Sequence, residues 1–474
     1  MKKTRLRLSS VILAGLLLVG CASGAGSQSA GSQTGDSEMI INTRKVSPIL
    51  DQDGADPFVT TYDGGYLYTR TTGGDIQIAV SPTVQGLGAA EMKQVYDPGV
   101  DLSEVWAPEI WNLDDCWYIY FAATVPGDTM HHMFVLSNPS QNPMEGDWKL
   151  DVLAGMDDKF AIDGTIMDLD GKRYFLWSGW EGYENVRQDI YIAEMISPIE
   201  VAQEKILLSK PEIYWEKNGH PLINEGPEVL VRGKTVNLVY SASGSWTDEY
   251  CLGLLTMTLG SDPKDPASWT KDEKPILSRK DDVYGPGHNC FTTSADGSQD
   301  LIFYHGARWK GAGWNRSVRF GYVDFDENGK ILPMDPVSGA DEISLPESDP
   351  EITKILAKGF ATEGDAAYDE GQSAMAGIYG PTDIISTEIG KDLMGEDENL
   401  TIVVWAKASD ILEGSVADLE ISWDGTTYTK SLCSSENYLP VFFTVPRTDG
   451  DATLTITNSY GGTELKIQCV EIRH

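Results

Sequence analysis

Cationic side chains are scarce in this chain: 36 Lys and Arg stand against 72 Asp and Glu, a formal net charge of -36 over 474 residues. Such a balance excludes nucleic acid as a partner and repels anionic membrane surfaces, so neutral substrates or cationic partners remain. Acidity of this kind also serves solubility. Cysteine is scarce as well. Beyond Cys21 there are Cys116, Cys251, Cys290, Cys433 and Cys469, an odd number without close spacing. That pattern writes neither a metal cluster nor a disulfide framework. Cys433 with Cys469 is the one pair to consider, and the others read as buried small hydrophobes. Long helical periodicity is almost missing between Pro48 and Pro346, which argues against a helical fold. The apolar run Val11 to Val19 is too short to span a bilayer comfortably.

Glycine is plentiful, with 48 residues. It punctuates short β-rich runs such as Gly65-Tyr66-Leu67-Tyr68-Thr69, Cys116 to Phe121, Arg173 to Trp177 and Leu301 to Tyr304. Short strands between Gly, Asp-Gly and Pro turns predict an all-β domain. Before these runs lie Ala55-Asp56-Pro57-Phe58, Trp106-Ala107-Pro108-Glu109, Ala161-Ile162-Asp163-Gly164, Asn224-Glu225-Gly226-Pro227 and Gly285-Pro286-Gly287-His288. The intervals from Asp56 through Glu109, Asp163 and Glu225 to His288 are 53, 54, 62 and 63 residues. Recurrence at near-constant spacing predicts radial repetition, one four-stranded blade per unit, with the inner strands opening at one mouth. A β-sandwich or a long barrel is the alternative.

Ahead of this region, Lys2, Lys3, Arg5 and Arg7 form a basic n-region before the apolar run, and Leu18-Val19-Gly20-Cys21 resembles a bacterial lipobox. That resemblance implies cleavage before Cys21 and a diacylglycerol anchor on its sulfur. Residues 1–21 are thus expected to be a lipoprotein signal peptide, and 22–40 a flexible tether. A β-propeller domain is expected over 41–350. Alternating runs after Asp349, with a hairpin turn at Trp423-Asp424-Gly425-Thr426, predict a β-sandwich over 351–474. Sandwiches of this kind are often carbohydrate-binding modules. Trp405, Trp423, Tyr428 and Tyr438 offer no clear platform, and a purely structural role is the alternative.

The chemistry starts at Glu225. A Gly-Pro turn behind it fixes the backbone, and a fixed, partly desolvated carboxyl is what a proton donor near neutral pH requires. Asp56 before Pro57 and Asp163 before Gly164 also read as ordinary turn residues.

Taken in order, Ala55-Asp56-Pro57-Phe58-Val59, Trp106-Ala107-Pro108-Glu109, Ile162-Asp163-Gly164, Asn224-Glu225-Gly226-Pro227, Tyr240-Ser241-Ala242 and Gly285-Pro286-Gly287-His288-Asn289 resemble glycoside hydrolase family 43, over roughly residues 48 to 345. The loops Trp177 to Trp180 and Cys251 to Leu254 look most like the extracellular α-L-arabinofuranosidases of that family. The resemblance implies a five-bladed propeller that hydrolyses arabinose- or xylose-containing chains with inversion. It implies Asp56 as general base, Glu225 as general acid and Asp163 as the residue that tunes and orients the acid. Inversion needs a base activating water on one face of the sugar and an acid on the other. Trp106 and Trp177 are candidates for stacking on sugar, or for core. Glu109 could bind sugar hydroxyls or partner a buried Arg. The family spacing places an active-site Arg at Arg316, whereas Arg319 faces the other way along its strand. His288 matches a histidine that touches an axial calcium in several relatives, often through water. The chain shows no loop of spaced carboxylates, so His288 is expected to be structural or substrate-orienting, with a structural Ca2+ near the axis as a candidate. His131-His132 is expected to be a surface or strand feature. No cofactor is expected. The expected protein is a monomeric, surface-anchored enzyme that releases terminal α-L-arabinofuranose from arabinan or arabinoxylan. A β-D-xylosidase and a non-catalytic carbohydrate-binding lipoprotein are the rivals.

Overall fold

The structure, a computed structural model, describes residues 39–156, 159–395, 398–409, 416–433, 437–460 and 462–473. Cys21 and the expected signal peptide lie outside them. Five blade units follow one another; three are separate four-stranded antiparallel sheets, and the third and fourth are joined into one nine-stranded sheet by a short parallel pairing of Arg187 with Leu222 and Gln188 with Ile223. The first strand of each is Ala55–Tyr62, Ser103–Leu113, Ala161–Leu169, Leu222–Arg232 and Tyr284–Thr293. The last unit lacks its own fourth strand. Ile49–Asp51 supplies it by pairing with Arg316–Tyr322, with Val318 opposite Asp51 and Arg319 opposite Ile49. The beginning of the domain therefore latches onto its end and closes the ring of blades.

Blades are covered on both faces, so their inner strands lose the alternation of a half-exposed sheet. Thr235–Ala242 is buried at every position. Cores form between neighbouring blades, as where Tyr120, Phe160, Phe175 and Trp177 cluster. Each first hairpin carries a register shift near its opening, for instance between Ala55 and Phe58 and between Glu225 and Glu228. Extra residues there bend the strand and re-aim side chains at the mouth.

Two further sheets form a sandwich. Glu464–Arg473 is central to one and Ala452–Asn458 to the other, with Trp423, Ile402, Ile421 and Val470 buried between them. Ile40–Thr43 pairs with Ile352–Leu356 at the edge of the first sheet, although it precedes the propeller in sequence. Against the propeller, Ile49 packs with Val403, Trp405, Phe442 and Cys469. Glu471 is buried beside them, held by Lys354, Arg473 and the Trp405 indole. Trp405 and Trp423 are thus interior residues, unavailable as a carbohydrate platform. Cys469 carries a free thiol, which removes the Cys433–Cys469 pairing.

Candidate active site

Asp56, Ala107, Asp163 and His288 all hold positive φ, as does Gly226 beside Glu225. Non-glycine residues reach that conformation only under constraint. Gly226 also needs its missing side chain, since a Cβ would stand 3.3 Å from His288 Cγ. These bulges bring Asp56, Asp163, Glu225 and His288 together from four blades.

Asp56 is gripped on both oxygens. Thr71 donates its hydroxyl to Oδ2 (2.6 Å) and accepts from the Ala107 amide (2.7 Å), which fixes the hydroxyl's direction. Arg316 Nη1 reaches Oδ1 at 3.3 Å, while its Nη2 donates to the Ser245 carbonyl. His288 and His305 stand 3.3 and 3.2 Å from the same oxygen. The Asp56 amide lies 3.1 Å from the same His305 Nδ1. Burial alone would raise the Asp56 carboxyl, but His288, His305 and Arg316 outweigh it and hold it well below the usual range. Burial pushes both imidazoles down, His305 to about 3. Arg316 is therefore the standing cation that keeps Asp56 ionised.

Opposite conditions hold for the other two acids. Glu225 is pushed up to about 7 by burial, against hydrogen bonding from Tyr250, whose hydroxyl donates to Oε1 (2.8 Å). Asp163 accepts from the Gly226 amide (3.0 Å) and is raised by burial and then by repulsion from Glu225. Two buried carboxyls so coupled retain a shared proton through the neutral range. An ionised carboxylate next to a protonated pair is the division of labour that acid–base hydrolysis requires.

The remaining expected residues separate into mouth and interior. Trp106 is half-buried and stacks on His131 at 3.7 Å between centroids. His131 is itself buried, not a surface feature, and burial lowers it to about 4. Trp177 is 3% exposed and stacks on Tyr191 and Phe175, so it is core and presents no face to a sugar. Glu109 lies below the mouth. It accepts from the Trp111 indole (3.0 Å) and shares a hydrogen bond with Glu228, a second buried carboxyl and not an Arg. Arg319 points away, donating to the Val337 carbonyl. Tyr250, His305, Ser245 and Thr71 went unrecognised in the sequence. Each is an ordinary strand or loop residue there, and only its contact with Asp56, Glu225 or Arg316 identifies it.

Calcium takes six to eight oxygen ligands. His288 instead faces Asp56, His305 and the Arg316 guanidinium, a cation that opposes another. Among the described residues no group of three or more His, Cys, Asp or Glu side chains could hold a metal ion. The candidate axial Ca2+ therefore finds no direct donor set here.

The profile described as Glycosyl hydrolases family 43 matches residues 46–331. An extracellular exo-alpha-(1->5)-L-arabinofuranosidase of Streptomyces avermitilis is 32% identical over 65% of this chain and 64% of its own length. An alpha-L-arabinofuranosidase of Humicola insolens is 34% identical over 53% of this chain and 54% of its own. The chain thus spans between half and two thirds of these relatives. The crystal structure of an alpha-L-arabinofuranosidase from Lactobacillus brevis superposes with a TM-score of 0.58 at 30% identity, covering 62% of this chain and 97% of that one.

Proposed function

The chain belongs to glycosyl hydrolases family 43, and within that family we propose that it is an inverting α-L-arabinofuranosidase releasing terminal arabinofuranose from plant cell-wall arabinan or arabinoxylan. One observation carries the mechanism: the charged and hydrogen-bonding neighbours of Asp56, with Arg316 among them, hold it ionised against its burial, while burial holds Glu225 near 7. Asp56 is the base that takes a proton from the attacking water. Glu225 is the acid that protonates the departing glycosidic oxygen, and Asp163 is its positioning partner through the Gly226 amide. Water adds at the anomeric carbon as the C–O bond breaks, so the sugar leaves with inverted configuration. Trp106 lies half-buried near this mouth as a sugar-facing ring, with His288 and Arg316 orienting the base. Support for the sugar comes from the similarity to arabinofuranosidases. Support for a surface anchor comes from the motif ending at Cys21. Proton NMR of arabinose freshly released from a linear arabino-oligosaccharide tests the reading. The β anomer should appear first. Retained configuration, or faster hydrolysis of an aryl β-D-xyloside than of the matching aryl α-L-arabinofuranoside, would overturn it.

A further inference from the structure

Most large apolar side chains near the mouth are buried, but Trp314 is 68% exposed. Its loop, joining Asp300–Ala307 to Arg316–Tyr322, is nonetheless tied down. The Arg308 amide donates to the Asn315 carbonyl (3.0 Å), and the Gly311 amide donates to Asp248 Oδ1 (2.8 Å) on the neighbouring blade. The Trp314 indole donates to Ser245 Oγ (3.2 Å), which fixes the ring's orientation and uses its one polar edge. Trp246 meets it edge-on at 6.4 Å between centroids. Trp246 in turn lies on a shelf of Gly219 and Gly244, where an added Cβ would come within 3.1 and 2.7 Å of the ring.

Both rings connect to the acid–base machinery. The carbonyl of Ser245 accepts from Arg316, which holds Asp56. The same loop runs on to Tyr250, whose hydroxyl is on Glu225. An ordered indole with its polar edge satisfied and its face in water is suited to the apolar face of a neutral sugar. Trp314 itself belongs to the last blade, but its partners Ser245 and Trp246 lie on the blade that carries Glu225, which puts the ring on the side from which the leaving group departs. We propose that Trp314, backed by Trp246, is the platform for the pentose unit on the leaving-group side of the scissile bond. This rests on the arabinofuranosidase reading above.

The test compares the full chain with Trp314→Ala and Trp314→Phe on two substrates, a linear α-1,5-arabinotriose and methyl α-L-arabinofuranoside. The methyl aglycone is too small to reach a platform. Trp314→Ala should lose about ten-fold more kcat/KM on the trisaccharide than on the methyl glycoside, the order one stacked ring contributes, with the loss in KM. Trp314→Phe should recover most of it. Equal losses on both substrates, or none on the trisaccharide, would overturn the platform while arabinose release by the unsubstituted protein leaves the reading standing. No arabinose from either substrate would overturn both.

Discussion

Removing one hydroxyl should move the pH optimum in a known direction. Tyr250 is buried, stacked on His305 at 5.7 Å and placed under the Arg316 guanidinium, so Tyr250→Phe keeps the ring and its packing. It deletes the hydrogen bond to Glu225 Oε1. That bond favours the ionised carboxylate, and without it the Glu225 pKa rises from about 7. As an acid, Glu225 works only while protonated, so activity falls as pH rises through that value, and the alkaline limb of kcat/KM moves to higher pH in the variant. A hydrogen bond to a charged group contributes about 1.5 kcal/mol, and one pKa unit corresponds to about 1.4 kcal/mol. The neutral carboxyl also accepts the bond, so the shift is at most about one unit. Initial rates of arabinotriose hydrolysis from pH 5 to 9, with thermal melts at each pH to exclude unfolding, measure it. A limb that stays in place or moves to lower pH would refute the assignment of Glu225 as acid or of Tyr250 as its modulator.

Glu225→Gln should slow arabinosides with poor leaving groups by about 100-fold or more and activated aryl arabinosides far less, because only the former need protonation. Equal losses in steady-state rates would count against the acid. Asp56→Asn removes the base and should abolish turnover of both substrate kinds, by about three orders of magnitude; retained activity on the aryl substrate would exclude Asp56. Beneath the mouth, burial raises Glu109 to about 8 and, with repulsion from Glu109, raises Glu228 well above its ordinary value. Carboxyls raised on folding stabilise fully below their unfolded value of 4.5, and that stability is lost as pH rises through about 8. Glu228→Gln should therefore melt at least about 2 °C higher than the unsubstituted protein at pH 8.5, with little difference at pH 5. A constant offset at both pH values would show that the pair's ionisation is not what limits alkaline stability.

Much of the fold was legible because turns and short strands recur along the chain. Turn chemistry marks the ends of strands, and recurrence at near-constant spacing marks radial repetition. Which side chains reach the mouth was less legible, since that depends on strand direction within one or two residues. Trp177 shows why. Its strand is buried on both faces, so alternation no longer separates core from site, and Trp177 went to the core. His131 illustrates the reverse error. Without partners in sequence the pair His131-His132 reads as a surface or strand feature, yet Trp106, from the first strand of the same blade, covers His131. Contacts such as Tyr250 with Glu225 join residues whose proximity exists only once the blade has formed.

The positive-φ residues explain the misplacement of Glu109. Equivalent points in the five blades are Asp56, Ala107, Asp163, Gly226 and His288, each in the left-handed region at the shifted register of its first hairpin. Sequence spacing set Glu109 in the row that Ala107 occupies. Two residues beyond those points stand Phe58, Glu109, Thr165, Glu228 and Cys290, which form the next layer down the axis. Electrostatics agree with the geometry: the Glu109 carboxyl responds to Thr165 and Glu228, and Cys290 responds to both acids. One backbone device repeated five times thus builds two layers. The upper holds Asp56, Asp163 and His288, with Glu225 one residue ahead of its bulge, where the turn of the strand still delivers it to the mouth. The lower holds a closed acidic pair that substrate cannot reach. A glutamate's distance from its bulge, one residue before it or two after, decides whether it reaches the mouth, where we propose it acts as the acid, or lies in the core.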